Sequence, residues 1–265
     1  MELIHIIVLS VIQGIAEFFP VSSSAHLILL PLVMGWEDQG IVVDVAGHLG
    51  TLLAVVVYFR GDVKDLFVEF IRSFPTKKVP RRCMMLLVAS IPIFILGYFF
   101  KPYIAMLRSA MVIGIAGIVF GSLMGIVDYV RPKTQKLPTM TYLHAFLIGC
   151  GQIFALIPGA SRSGTTITVS RWLGYARKEA LTFTFLLSLP ITLAAVVLSF
   201  FDAWKEGVAL AEQSLVIVTI VSAVVGYGVL ALVMRMGQFI TFIPFAVYRI
   251  ALGIVVLCLS YFKLI

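Results

Sequence analysis

Apolar residues fall along this chain in long unbroken blocks, not in the alternating or one-faced patterns of soluble strands and helices. Six blocks lie near residues 45–60, 84–100, 109–130, 180–200, 214–235 and 241–262. Each comes close to the ~20 residues that carry a helix across a bilayer. Two further stretches, near 3–35 and 140–170, are apolar but interrupted. Pro20 with Ser22, Ser23 and Ser24 breaks the first, and Pro158-Gly159 with Ser161, Arg162, Ser163 and Gly164 breaks the second. Each half is too short to span alone, so each pair predicts a re-entrant hairpin: a helix in, a polar turn, a helix out. Irregular backbone at membrane depth survives only where protein buries it or it lines a watery cavity. The expected fold is an all-α polytopic membrane protein: a single integral membrane domain over 1–265, with six transmembrane helices and two re-entrant hairpins.

Composition agrees with this reading. The chain is 61% hydrophobic and 12% charged, with mean hydropathy +1.08, whereas soluble domains are about half apolar and a quarter charged. The net charge of +7 does not point to nucleic acid, because the basic residues sit in short connections. Arg60, Lys64, Arg72, Lys77, Lys78, Arg81 and Arg82 precede the second span, and Arg131, Lys133 and Lys136 follow the third. Arg171, Arg177 and Lys178 follow the second hairpin, and Arg235 ends the fifth span. The positive-inside rule assigns that side to the cytoplasm. The other side keeps Lys101, Arg108, Lys205 and Lys263, with Asp202, Glu206 and Glu212 nearby. Both termini then face outward and the hairpins enter from opposite faces. That order predicts inverted repeats over roughly 1–130 and 139–265. Superimposing Pro20 on Pro158 puts Ser23 on Ser161, and Thr51–Val56 resembles Thr192–Val197. Such repeats place a site near the midplane, formed by broken helices. No cleavable leader is expected, since the N-terminus lacks a basic region and a clear cleavage site. Cys83, Cys150 and Cys258 are widely separated and read as packing residues.

The two breaks carry the chemistry. Gln13 and Glu17, spaced i,i+4, share a helix face. Ser22, Ser23 and Ser24 are good N-cap residues, and a helix N-terminus presents free N–H groups to an anion. His26 follows Ser23 by three residues, which offers a nucleophile–base pair. Glu17 has three readings: holding a divalent cation, orienting His26, or handling a proton. The plainer reading is that the serines cap a helix and His26 packs. In the second break Arg162 is a planar, permanently charged fork that matches phosphate oxygens. Ser161, Ser163, Thr165 and Thr166 offer further donors. The plainer reading here is a structural arginine neutralised by Glu17. No Walker A Gly-Lys-Ser/Thr element is present. Arg249, in the last span, reads as an ion pair or a snorkelling cation. Asp44 and His48 either border the site or mark an interfacial helix start.

Gln13 to His26 resembles the Glu/Gln-x-x-x-Glu motif and following Pro-Val-Ser-Ser segment of the undecaprenyl-pyrophosphate phosphatases associated with bacitracin resistance. Pro158 to Thr166 is similar to that family's Pro-Gly-x-Ser-Arg-Ser-x-x-Thr motif. The resemblance implies an enzyme of the bacterial inner membrane that hydrolyses undecaprenyl pyrophosphate to undecaprenyl phosphate and inorganic phosphate, recycling the lipid carrier for peptidoglycan. Its site would open to the periplasmic face. It implies a catalytic set of Glu17, Ser23, His26 and Arg162, with Gln13, Ser22, Ser161, Ser163 and Thr166 on the substrate. It also implies homodimers and a divalent cation, magnesium or calcium, on Glu17. Gln13 stands where many members have glutamate, and an amide is the weaker ligand for a hard cation. The alternative from another class is a polyprenyl-phosphate transporter or flippase.

Overall fold

The computed structural model describes residues 2–73, 79–130, 134–205, 213–237, 239 and 241–264, without the side chains of 101, 102, 104 and 105. Lys77, Lys78, Arg131, Lys133, Glu206 and Glu212, used in the charge argument, lie outside the described residues, as does the side chain of Lys101. The described residues form α1 (Leu3–Ala16), α2 (Ser23–Met34), α3 (Ile41–Tyr58), α4 (Arg60–Ser73), α5 (Arg81–Ile104) and α6 (Ala110–Val130). They continue through α7 (Tyr142–Ile153), α8 (Arg162–Trp172), α9 (Arg177–Lys205), α10 (Gln213–Met236) and α11 (Ile243–Tyr261). Among them, six helices are long and apolar enough to cross a membrane: α3, α5, α6, α9, α10 and α11. These correspond to the six expected blocks. The two interrupted stretches fold as the short pairs α1–α2 and α7–α8, broken where the polar residues fall. The chain is thus a multi-pass helical membrane protein.

Packing between the helices relies on small residues, because lipid gives no hydrophobic reward for bringing two apolar helices together. α6 lies along α11 and α3 along α10, while α1 packs on α10 and α7 on α5. Gly149 lets α7 approach the Ala89 carbonyl of α5 so closely that a Cβ would collide with it. Phe18, after α1, meets Phe185 of α9 edge to face with centroids 5.5 Å apart, and both are buried. α2 ends at Gly35, whose φ of 66° suits a residue without a Cβ.

Arg171 belongs to the fold rather than to a solvated loop. It is 1% exposed, and its Nε donates to Asp128 Oδ1 at 2.9 Å. Arg177 donates to the same carboxylate through Nε and a terminal nitrogen, and the backbone N–H of Phe242 donates at 2.9 Å. Asp128 therefore fastens the ends of α6 and α8 to the starts of α9 and α11. The charge pattern placed Arg171 among loop cations because its acid partner lies 43 residues away. Nearby, the Tyr175 hydroxyl lies 2.7 Å from His144 Nδ1, and burial pushes its phenol up to about 12.

Arg249 departs from expectation in another way. It is 2% exposed and neither snorkels nor meets a carboxylate among the described residues. One terminal nitrogen donates to the carbonyls of Gly159 and Ala160 at 3.0 and 2.6 Å. It therefore braces the turn that leads into α8.

Candidate active site

The two breaks face each other across one carboxylate. Glu17, 8% exposed, sits at the end of α1. Its Oε1 accepts from a terminal nitrogen of Arg162 at 2.6 Å. Its Oε2 accepts from Ser23 Oγ at 2.8 Å and from Gln13 Nε2 at 3.1 Å. Two polar motifs far apart in sequence are thus joined by a single side chain. They line a cavity of about 260 Å³ with Ser22, Ser24, His48, Ser161 and Ser163. Its remaining wall is largely apolar and includes Ile93, Ile191 and Val196.

Local backbone geometry explains why Ser23 and Arg162 point the same way. Ser22 caps α2 with its Oγ on the Ala25 N–H, and Ser161 caps α8 with its Oγ on the Gly164 N–H. Both caps have positive φ, 75° and 69°, a conformation costing a β-carbon-bearing residue about 1–3 kcal/mol. Each cap hydroxyl lies within 3.3 Å of the serine two residues on, Ser24 or Ser163. The residue between, Ser23 or Arg162, turns to Glu17. The correspondence therefore runs Ser22 with Ser161 and Ser23 with Arg162. This corrects the register that superimposed the two prolines: one extra residue, Gly159, stands between Pro158 and its cap. The same register pairs Gln13 with Gln152, and both are buried.

The other expected site residues fall into two groups. Gln13, Ser22, Ser161 and Ser163 surround the cavity or touch Glu17. His26 and Thr166 are absent from the cavity wall. His26 Nδ1 is 2.8 Å from the Ser22 carbonyl oxygen, which can only accept, so Nδ1 carries the proton. Its Nε2 then accepts from Tyr248 O–H at 2.6 Å. The expected Ser23–His26 pair is not formed, because the imidazole turns back to Ser22 while Ser23 bonds Glu17. Thr166 is fully buried, donating to the carbonyls of Arg162 and Ser163. It braces the first turn of α8.

Sequence reasoning left His48 undecided, and the structure puts it in the site. Its Nδ1 lies 3.0 Å from Gln13 Nε2 and 3.4 Å from Glu17 Oε2. Asp44 binds Gln39 instead, so only half of that i,i+4 pair faces the cavity.

Two buried atoms at this site have no protein partner: the second terminal nitrogen of Arg162 and Oε1 of Gln13. A buried donor or acceptor left unpaired costs ~1–3 kcal/mol. An anion at Arg162 would pair the first. No cluster of three His, Cys, Asp or Glu side chains suited to a metal exists among the described residues. Glu17 and Gln13 Oε1 are donors suited to a hard cation held jointly with substrate phosphates, as magnesium commonly is, and not to an all-protein cage.

Comparison with known proteins decides the family. The model of the family described as Bacitracin resistance protein BacA matches residues 6–255. The chain belongs to the BacA family. This BacA-family chain is similar to the undecaprenyl-diphosphatase of Trichlorobacter lovleyi, 43% identical over 98% of this chain and 97% of the relative. It is 40% identical to the undecaprenyl-diphosphatase of Maricaulis maris, over 97% of this chain and 98% of that one. The relative from Stutzerimonas stutzeri, named undecaprenyl-diphosphatase 2, is 41% identical over 98% of both chains.

Proposed function

We propose that this chain hydrolyses undecaprenyl diphosphate to undecaprenyl phosphate and inorganic phosphate, recycling the lipid carrier for peptidoglycan. The observation that carries the reading is the Glu17 cluster: a hydroxyl and a guanidinium from separate breaks converge on one carboxylate. The guanidinium keeps one donor without a partner, and Arg162 lines the cavity of about 260 Å³. Relatives named for this reaction align over nearly the whole chain.

In the proposed reaction Arg162 binds the terminal phosphate through its free nitrogen while its other nitrogen holds Glu17 in place. The cap N–H groups of α2 and α8 add positive potential on both sides. Ser23 Oγ attacks the terminal phosphorus and its proton passes to Glu17 Oε2, its hydrogen-bond partner. The P–O bond to the bridging oxygen breaks, and undecaprenyl phosphate leaves. Glu17 passes that first proton to the departing undecaprenyl phosphate. Water then opens the phosphoserine, Glu17 taking the water's proton and handing it to Ser23 Oγ, and inorganic phosphate departs. Charge spreads over the equatorial oxygens during each transfer, so fixed donors supply most of the catalysis. Glu17 and Gln13 Oε1 would hold a divalent cation, which would supply neutralisation of the diphosphate charge. His26 acts behind the first turn of α2, fixing the Ser22 carbonyl next to the nucleophile.

The further features of the reading are two inverted repeats, 1–130 and 139–265, whose hairpins enter from opposite faces as re-entrant loops. The matching caps Ser22 and Ser161 and the matching pairings of α1 on α10 and α7 on α5 support this. The inner membrane, a periplasmic opening and a homodimer follow from the family resemblance and the charge asymmetry. No observation favours the transporter alternative.

The test is phosphate release from undecaprenyl diphosphate by purified Ser23→Ala and Arg162→Ala proteins, with a rapid quench to trap phosphorylated Ser23. Turnover near the parent level in both variants would overturn the assignment.

A further inference from the structure

Among the described residues, a larger cavity than the one at Glu17 lies elsewhere. A cavity of about 600 Å³ opens between the beginnings of α5 and α9 and the Leu137–Thr139 turn. That volume falls within the ~300–1,000 Å³ usual for small-ligand sites. Its floor is apolar, with Met85, Leu86, Phe183 and Leu186. Its rim carries four cations, Arg81, Arg82, Lys136 and Lys178, and one acid, Glu179. The cavity is distinct from the first. The two share no lining residue, and on α9 they approach most closely at Leu186 and Ile191, five residues or ~7.5 Å apart along the helix.

The rim is built unevenly. Arg81 is locked into the wall, donating to the carbonyls of Pro138 and Met140 at 3.3 and 2.6 Å. Arg82 meets Asp62 at 3.0 Å. Glu179 already accepts from the Leu137 N–H at 2.9 Å. The ammonium groups of Lys136 and Lys178 have no carboxylate partner among the described residues. The cavity thus pairs an apolar floor with a positive rim where two spans begin, on the side the charge pattern assigns to the cytoplasm. A basic pocket between membrane helices at that level suits a phosphate-bearing lipid head.

We propose that this cavity binds an anionic phospholipid of the adjoining leaflet, its phosphate between Lys136, Lys178 and Arg81 and an acyl chain over Phe183 and Leu186. Charge complementarity selects the anion, and the apolar floor selects a lipid over a free phosphate. Such a site is separate from the reaction at Glu17 and takes a phosphodiester that the enzyme does not cleave.

The experiment uses the full-length protein in nanodiscs of phosphatidylcholine with a minor fraction of phosphatidylglycerol. Lipids retained after release into mild detergent are counted by native mass spectrometry. The expected result is selective retention of phosphatidylglycerol. The exposed double variant Lys136→Ala/Lys178→Ala should weaken it about 10- to 30-fold, each lysine contributing as basic residues do near anionic lipid. Its turnover of undecaprenyl diphosphate in detergent should stay within about twofold of the parent. Glycerol phosphate, which has the head but no chain, should not displace the lipid. Equal retention of the two phospholipids, or undiminished retention by the double variant, would overturn the proposal. So would displacement by glycerol phosphate, which would make this a site for free phosphate, or preferential displacement by a polyprenyl phosphate, which would make it a site for the reaction product.

Discussion

Replacing Arg162 by lysine separates two readings of the central ion pair. If Arg162 only neutralises Glu17, an ammonium serves almost as well, since neutralisation needs charge and not shape. If Arg162 bridges Glu17 and phosphate, lysine fails. Arg162 lines the cavity with one terminal nitrogen holding Glu17 Oε1 at 2.6 Å and the other buried without a partner among the described residues. An ammonium is a point charge on a flexible stem and does not offer the same rigid fork. Losing one charge-assisted hydrogen bond to the transferring phosphate costs ~1.5–3 kcal/mol. At 1.36 kcal/mol per decade, this is a fall in kcat/KM of about 10- to 150-fold. The measurement is steady-state phosphate release by Arg162→Lys, with thermal unfolding recorded to show that the fold is retained. A variant within about threefold of the parent would refute the bridging role and leave Arg162 as a structural counter-ion.

Three further outcomes follow from the geometry. Glu17→Gln should lower kcat by about 10²–10⁴, the range for a positioned base, whereas His26→Gln should cost about tenfold or less. Equal losses in single-turnover assays would return the base role to His26. Asp128→Ala leaves Arg171 buried without its acid and should destabilise the protein by about 3–5 kcal/mol, read as a lower unfolding midpoint; an unchanged midpoint would deny the clasp its structural role. Ser22→Gly should unfold at higher denaturant than Ser22→Ala, by about 1 kcal/mol, because glycine tolerates the positive φ and serves better as a cap. The reverse order would show that the cap is unstrained.

The spans were readable because an unbroken apolar block of that length has few other uses. The breaks were readable because serine, glycine, proline and arginine are costly at membrane depth without a purpose. Convergence of Glu17, Ser23 and Arg162 followed from the motifs, but their pairing did not. Ser23 and His26 share a helix face by spacing, and only the backbone at Ser22 shows the imidazole folding back to its carbonyl. His48 was ambiguous because a polar residue in the second turn of a span is also what an interface produces. The prolines are conspicuous in sequence, whereas the likeness of Ser22 to Ser161 lies in a positive φ and a capping bond that only the structure displays. Arg249 and Arg171 were misplaced for a common reason: their partners, two turn carbonyls and Asp128, are brought in from distant segments.

The Asp128 clasp also bears on how the site is held. Three donors and a backbone N–H meet one carboxylate where α6, α8, α9 and α11 come together. Arg162 lies at the other end of α8, nine residues or ~14 Å from Arg171. The helix is therefore a short lever with a pinned heel and a working tip. The diphosphate cavity thus lies against the free tip of α8, where Arg162 meets Glu17 across two helix breaks, and the clasp holds the end of the helix that substrate does not touch.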